Sequence, residues 1–96
     1  MENLGQLIDV LQNPQTKERQ DILLEAAKFC LKERLFYAAV GLINRIEQHF
    51  EVDASELEKF RDDLKVAVKE KKGWRFELDG MVWLLIHGMD RTDNME

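Results

Sequence analysis

Residues 53–73, DASELEKFRDDLKVAVKEKKG, read as one α-helix with both ends marked. Asp53 with Glu56 three residues later forms a capping box, in which each side chain takes an N–H left orphaned by the first turn. Val52 and Leu57 stand where a hydrophobic staple would clamp the entering chain, and Ser55 with Glu58 offers a second cap two residues on. Leu57, Phe60, Leu64, Ala67 and Val68 recur at the spacing of one buried stripe. Lys69, Lys71 and Lys72 suit the negative end of the helix dipole, and Gly73 is the expected residue after the C-cap, where a left-handed backbone is needed.

Upstream, the stretch Leu35 to Phe50 carries a second apolar face of Phe36, Ala39, Val40, Ile43, Ile46 and Phe50. From Gln15 or Thr16 a third face holds Ile22, Leu23, Ala26, Ala27 and Cys30, with Lys17, Glu18, Arg19 and Gln20 on exposed first turns. The charged triplet Lys32-Glu33-Arg34 separates the two, and a bend is placed there. A single helix over 16–50 remains the alternative, since Ile22, Ala26, Phe29, Phe36, Val40, Ile43 and Phe50 would fall on one seam. Glu33 and Glu47 interrupt that seam, and a helix of about 35 residues is long for a small domain. Asn3 with Gln6 caps a short first helix bearing Leu4, Leu7, Ile8 and Leu11, which Asn13-Pro14 stops.

Downstream, Trp74, Leu78, Met81, Val82, Leu85 and Met89 form one helical stripe, although Trp74 to Leu78 could also be read as a short extended segment. Phe76, Gly80, Trp83, Leu84 and His87 lie on the other side, so this helix is apolar nearly all round: it is either central or shared with a partner. Residues 1–90 are expected to form a single helical domain, followed by a flexible tail over 91–96.

Composition agrees with this fold. The 96 residues are 45% hydrophobic and 34% charged, with one Ser, two Thr and one Pro, which leaves little material for turns and strands. The expected class is all-α, a small bundle or stacked helical hairpins of four to five helices, with Ile22, Leu23, Phe29, Phe36, Val40, Ile43, Phe60, Leu64, Val82 and Leu85 in its core. A net charge of -5 disfavours binding to a phosphate backbone. The longest apolar run, Met81 to Ile86, is far below the roughly 20 residues of a membrane span. A lone Cys30 and an acidic start without an apolar leader point to the cytoplasm.

Catalytic and metal chemistry find little support. Cys30 sits on an apolar face rather than beside a base. His49 and His87 have no second ligand at metal-binding spacing, and Ser55 stands among carboxylates rather than in a glycine-flanked elbow. Glu33 and Glu47 lack the companion residues of a di-iron site. No phosphate-cradling or calcium loop is present. No enzyme, cofactor or metal is therefore expected. Arg61, Lys65, Lys69 and Lys72 are spaced along one face of the fourth helix and Arg75 extends them, a basic patch that helix-dipole complementarity partly explains. Between 61 and 75 there are six basic and three acidic residues, while 47–58 holds five acidic residues and no Lys or Arg.

The segment Leu23 to Glu51 resembles one tetratricopeptide-type hairpin. Leu23 and Ala27 match the large and small residues of its first helix, and Phe36, Ala39 and Ile43 those of its second. Cys30, Ile46 and Glu51 depart from the pattern. The resemblance covers under a third of the chain and implies a peptide-binding groove of the kind small helical chaperones use.

The functional expectation is a small acidic protein-binding module, an adaptor, chaperone or inhibitor, acting on another protein or on a second copy of itself through Trp74, Phe76, Trp83, Leu84 and His87. So short a chain has too little interior to enclose every apolar residue of its last helix. The alternatives are a nucleic-acid-associated regulator using Arg61, Lys65, Lys69, Lys72 and Arg75, and a tetratricopeptide-like chaperone.

Overall fold

The computed structural model describes residues 1–93, and every regular element in it is helical. The elements are α1 (Leu4–Gln12), a 3-10 turn (Thr16–Glu18), α2 (Gln20–Lys32), α3 (Phe36–His49), α4 (Ala54–Glu70) and α5 (Phe76–Asp93). α3 is the central helix, packed against α2, α4 and α5, while α1 fills the space between α2 and α5. The fold is thus all-α, as expected, and of the forms left open, a bundle or stacked hairpins of four to five helices, it is a small bundle of five. α5 runs three residues into the expected tail, and 94–96 lie outside the described residues.

The helix starts follow local chemistry where a cap is available. Asn3 accepts the Gln6 N–H at 2.9 Å, and the Gln6 side chain returns a bond to the Glu2 N–H. Asp53 caps α4 through the Ser55 N–H at 2.9 Å and the Ser55 hydroxyl at 2.7 Å, rather than through a reciprocal bond with Glu56. These bonds hold the Asp53 carboxyl below its ordinary range.

α2 begins at Gln20, later than expected. Asn13 Oδ1 accepts the Gln15 N–H, Thr16 is buried, and Arg19 is extended. The Asn-Pro turn therefore closes with one 3-10 turn before the chain can enter α2. The bend between α2 and α3 is a Schellman motif. Arg34 takes the left-handed conformation at φ 65°, its N–H bonds the Leu31 carbonyl at 3.2 Å, and the Leu35 N–H bonds the Cys30 carbonyl at 2.8 Å. Arginine occupies the position that glycine would fill without strain. Arg34→Gly is expected to stabilise the fold by about 0.5–1 kcal/mol and Arg34→Val to destabilise it by at least about as much, measured by thermal unfolding. A glycine variant with a lower melting temperature would contradict this assignment.

α4 ends at Glu70, with Lys71 left-handed at φ 53°; Gly73, at φ 69°, turns the chain two residues later. This connection docks on the α2–α3 bend. The Arg75 N–H reaches the Arg34 carbonyl at 3.2 Å, and the Arg34 side chain lies over Gly73.

The core contains Leu23, Phe29, Phe36, Ile43, Phe60, Leu64 and Val82 as expected, together with Leu7, Leu11, Leu35, Leu42, Ile86 and Met89. Ile22, Val40 and Leu85 are only partly buried. Ile22 lies on the α1 side of α2, Val40 borders the α3–α4 seam, and Leu85 borders the α1–α5 seam. Each stands at the rim of its helix contact, where neighbouring cylinders diverge.

Candidate functional site

The buried edge of α5 is Asp79, Val82, Ile86 and Met89, in steps of three, four and three residues. Met81, on the same sequence stripe as Val82 and Met89, is 47% exposed, because the buried edge runs through Asp79 and Ile86 instead. Asp79 is 1% exposed, and its carboxylate accepts the Tyr37 N–H at 2.9 Å, the Ala38 N–H at 2.7 Å and the Trp74 Nε1–H at 2.7 Å. Tyr37 and Ala38 are the second and third residues of α3, whose cap position is Leu35, a residue without an acceptor in its side chain. An aspartate 41 residues beyond Ala38 thus caps the central helix, and α3 directs its positive end at the carboxylate.

With that edge buried, the opposite face of α5 is left to solvent. Phe76 is 61% exposed, Trp83 39% and Leu84 66%, and His87 is exposed with its ring 3.7 Å from that of Trp83. Trp74 differs from the other residues grouped with them. It is half-buried, donates to Asp79, meets Tyr37 edge-on at 5.4 Å and contacts Phe76 at 5.9 Å. Its first task is structural.

α5 crosses α3 at Gly41, where a Cβ would lie 3.7 Å from Ile86 Cγ2 and 3.8 Å from Trp83 Cδ1. α4 meets α3 farther round, at Val40, Asn44 and Glu47. α4 and α5 make no extensive contact with each other. The strip of α3 between them, Tyr37, Asn44 and Gln48, is exposed. This makes an open groove with α3 as its floor. Phe76 and Trp83 stand on one wall; Arg61, Lys65, Val68 and Lys69 line the other, around a hollow of about 320 Å³ against Val40. The Trp74–Tyr37–Phe76 ring cluster closes one end, with Lys71 over the Trp74 ring at 5.8 Å. The structure therefore brings part of each sequence-predicted group, Phe76 and Trp83 on one side and Lys65 and Lys69 on the other, to the borders of the exposed α3 strip, whereas Leu84 faces a hollow against α1 and Arg75 faces Glu33.

Not every cation of that patch is available. Arg61 bonds Glu47 at 2.6 Å and Asn44 at 3.2 Å, so it links α4 to α3. Arg75 lies 3.4 Å from Glu33. Lys65, Lys69 and Lys72 are exposed and make no ion pair with any described residue. Glu33 and Glu47 are consequently partners of arginines on separate elements and not a carboxylate pair.

Cys30 is fully buried, and burial together with the nearby Asp79 charge pushes its thiol up to about 12. About one thiol in ten thousand would be ionised at pH 8 in the folded chain. Ellman's reagent at pH 8 is expected to leave Cys30 unmodified until denaturant is added; rapid modification of the folded chain would refute the burial. Among the described residues no three His, Cys, Asp or Glu side chains gather to hold a metal ion, and no helix is long and apolar enough to cross a membrane. Comparison with protein families, with curated proteins and with solved structures finds no match.

Proposed function

We propose that the chain is a small helical protein-binding module whose docking face is the outer side of α5. The observation that carries this reading is the exposure of Phe76 (61%), Trp83 (39%) and Leu84 (66%) on one side of α5. Among the described residues six large apolar side chains are exposed, and of these Tyr37 and Val66 lie outside α5. Single exposed apolar residues are ordinary, whereas contiguous ones mark contact surfaces, and tryptophan is enriched where such contacts are strongest. The face is also rigid, because Asp79, Val82 and Ile86 fix the back of the same helix in the core.

The nucleic-acid reading draws on fewer groups: three unpaired lysines on a chain of net charge -5. The tetratricopeptide-like reading draws on the α2–α3 hairpin, but α4 and α5 pack on α3 separately and do not stack as a second hairpin.

The test is the double substitution Trp83→Ser with Leu84→Ser. Helicity by far-UV circular dichroism should be unchanged; Leu84→Ser should move stability by about 0.5 kcal/mol or less, and Trp83→Ser, which loses contact with Gly41 and His87, by about 1–3 kcal/mol. Association, with captured partners or with a second copy in light scattering, should be lost. A variant that unfolds would place the two residues in the core and remove the proposal.

A further inference from the structure

We infer that the groove between α4 and α5 takes an acidic amphipathic helix of a partner protein, apolar side chains on the Phe76–Trp83 wall and carboxylates on the lysine wall. This inference rests on the docking reading of α5 and adds the chemistry of what docks.

The groove has three properties that select its occupant. It is open over α3, because α4 and α5 each contact α3 and leave Tyr37, Asn44 and Gln48 exposed. A helix laid in such a channel presents anchors at one turn's spacing, which is how grooves between helices read amphipathic segments. One wall is aromatic, and the aromatic surface continues round the closed end through Trp74 and Tyr37. The other wall is cationic in a specific way. Arg61 is already held by Glu47, but Lys65 and Lys69 are unpaired one turn apart, and Lys72 stands unpaired just beyond the end of α4.

Within the molecule, charge is divided along the groove. The lysines lie toward the closed end, whereas Glu51, Asp53 and Glu58 stand about the C-terminus of α3 and the start of α4, where Glu47 is already paired with Arg61 and Glu56 with Lys28. A partner with a uniform negative charge would be repelled at that second end. The complementary helix therefore carries its carboxylates toward the Trp74 end, beside an apolar stripe. Asp62, one turn before Lys65, moderates the basic wall without pairing with it. A second copy of this chain is the rival occupant; its α4 meets the description poorly, because Leu57, Phe60 and Leu64 are already buried.

The experiment is selection from a displayed library of random helical peptides about four turns long, with the full chain as target and two variants as counter-targets. One variant carries Lys65→Glu, Lys69→Glu and Lys72→Glu; the other carries Phe76→Ser and Trp83→Ser. All five side chains are exposed, and circular dichroism checks that both variants fold. Selected peptides are expected to have an i, i+3, i+4, i+7 apolar stripe flanked by Asp and Glu, to weaken by about tenfold or more on the charge-reversed target, and to lose binding on the serine variant. Peptides without acidic bias, or with equal affinity for the charge-reversed target, overturn the inference while leaving the α5 docking face standing if the serine variant still abolishes binding. Peptides indifferent to both variants, or no selected peptides at all, overturn both. A concentration-dependent dimer that the serine variant dissolves assigns the groove to a second copy and overturns the acidic-partner inference alone.

Discussion

Replacing Asp79 by alanine is expected to destabilise the chain by about 3–5 kcal/mol, the range for removing one partner of a buried, charge-assisted network. Three donors lose their acceptor at once: the N–H groups of Tyr37 and Ala38 at the start of α3, and the indole N–H of Trp74. No other side chain near Leu35 supplies a cap, and the Ala38 N–H is buried where it cannot turn to bulk water. For a domain of this size the loss should lower the melting temperature by roughly 15 °C or more. Asp79→Asn keeps one acceptor oxygen but loses the charge facing the α3 dipole, so it should fall between alanine and the parent. Thermal and urea unfolding of the three proteins checks this. An alanine variant within about 1 kcal/mol of the parent would mean that the α3 start is satisfied in another way.

The second large effect separates two neighbours on α5. Ile86 is 2% exposed and touches α3 beside Gly41, whereas Leu84 is 66% exposed. Ile86→Ala should cost about 2–5 kcal/mol, because it removes buried methyl groups and leaves a cavity where the two helices cross. Leu84→Ala should stay within about 0.5 kcal/mol of the parent. Urea midpoints at constant m-value measure both. Equal effects at the two positions would mean that α5 is rotated from the orientation described, and the docking face would move with it.

These two experiments bear on different parts of one arrangement. Asp79 fixes how α5 sits at the start of α3, and Ile86 fixes the crossing farther along. Together they decide which residues of α5 are left over. Phe76, Trp83, Leu84 and His87 form an outer face only because Asp79, Val82, Ile86 and Met89 take the inner one.

Local signals were sufficient for much of the fold. Asn3 and Asp53 are short polar side chains that bond their own helix starts, Asn13-Pro14 breaks a helix by backbone chemistry alone, and the steps from Leu57 to Leu64 encode a face without reference to any neighbour. Periodicity also marked α5 as apolar on two sides, which placed Phe76, Trp83, Leu84 and His87 together. The α2–α3 bend had a charged triplet but no glycine, since Arg34 accepts a left-handed backbone that the Schellman bonds and buried Leu35 hold in place.

What periodicity could not supply was the partner of each face. A helical wheel treats Met81 and Ile86 as equally apolar, and it places an aspartate outside by default. The choice between them came from a bond of long sequence separation, Asp79 to the α3 start, which rotates α5 so that a carboxylate is buried and a tryptophan is left in solvent. Such a bond is worth forming only when α3 offers its orphan N–H groups at the right place, a property of the assembled bundle. The helices, their order and most of their apolar faces were legible from residue order alone, because these depend on interactions within a few residues. The groove, the cations left unpaired along it and the orientation of α5 depend on which helices lie side by side, a matter of contacts between residues far apart in the chain.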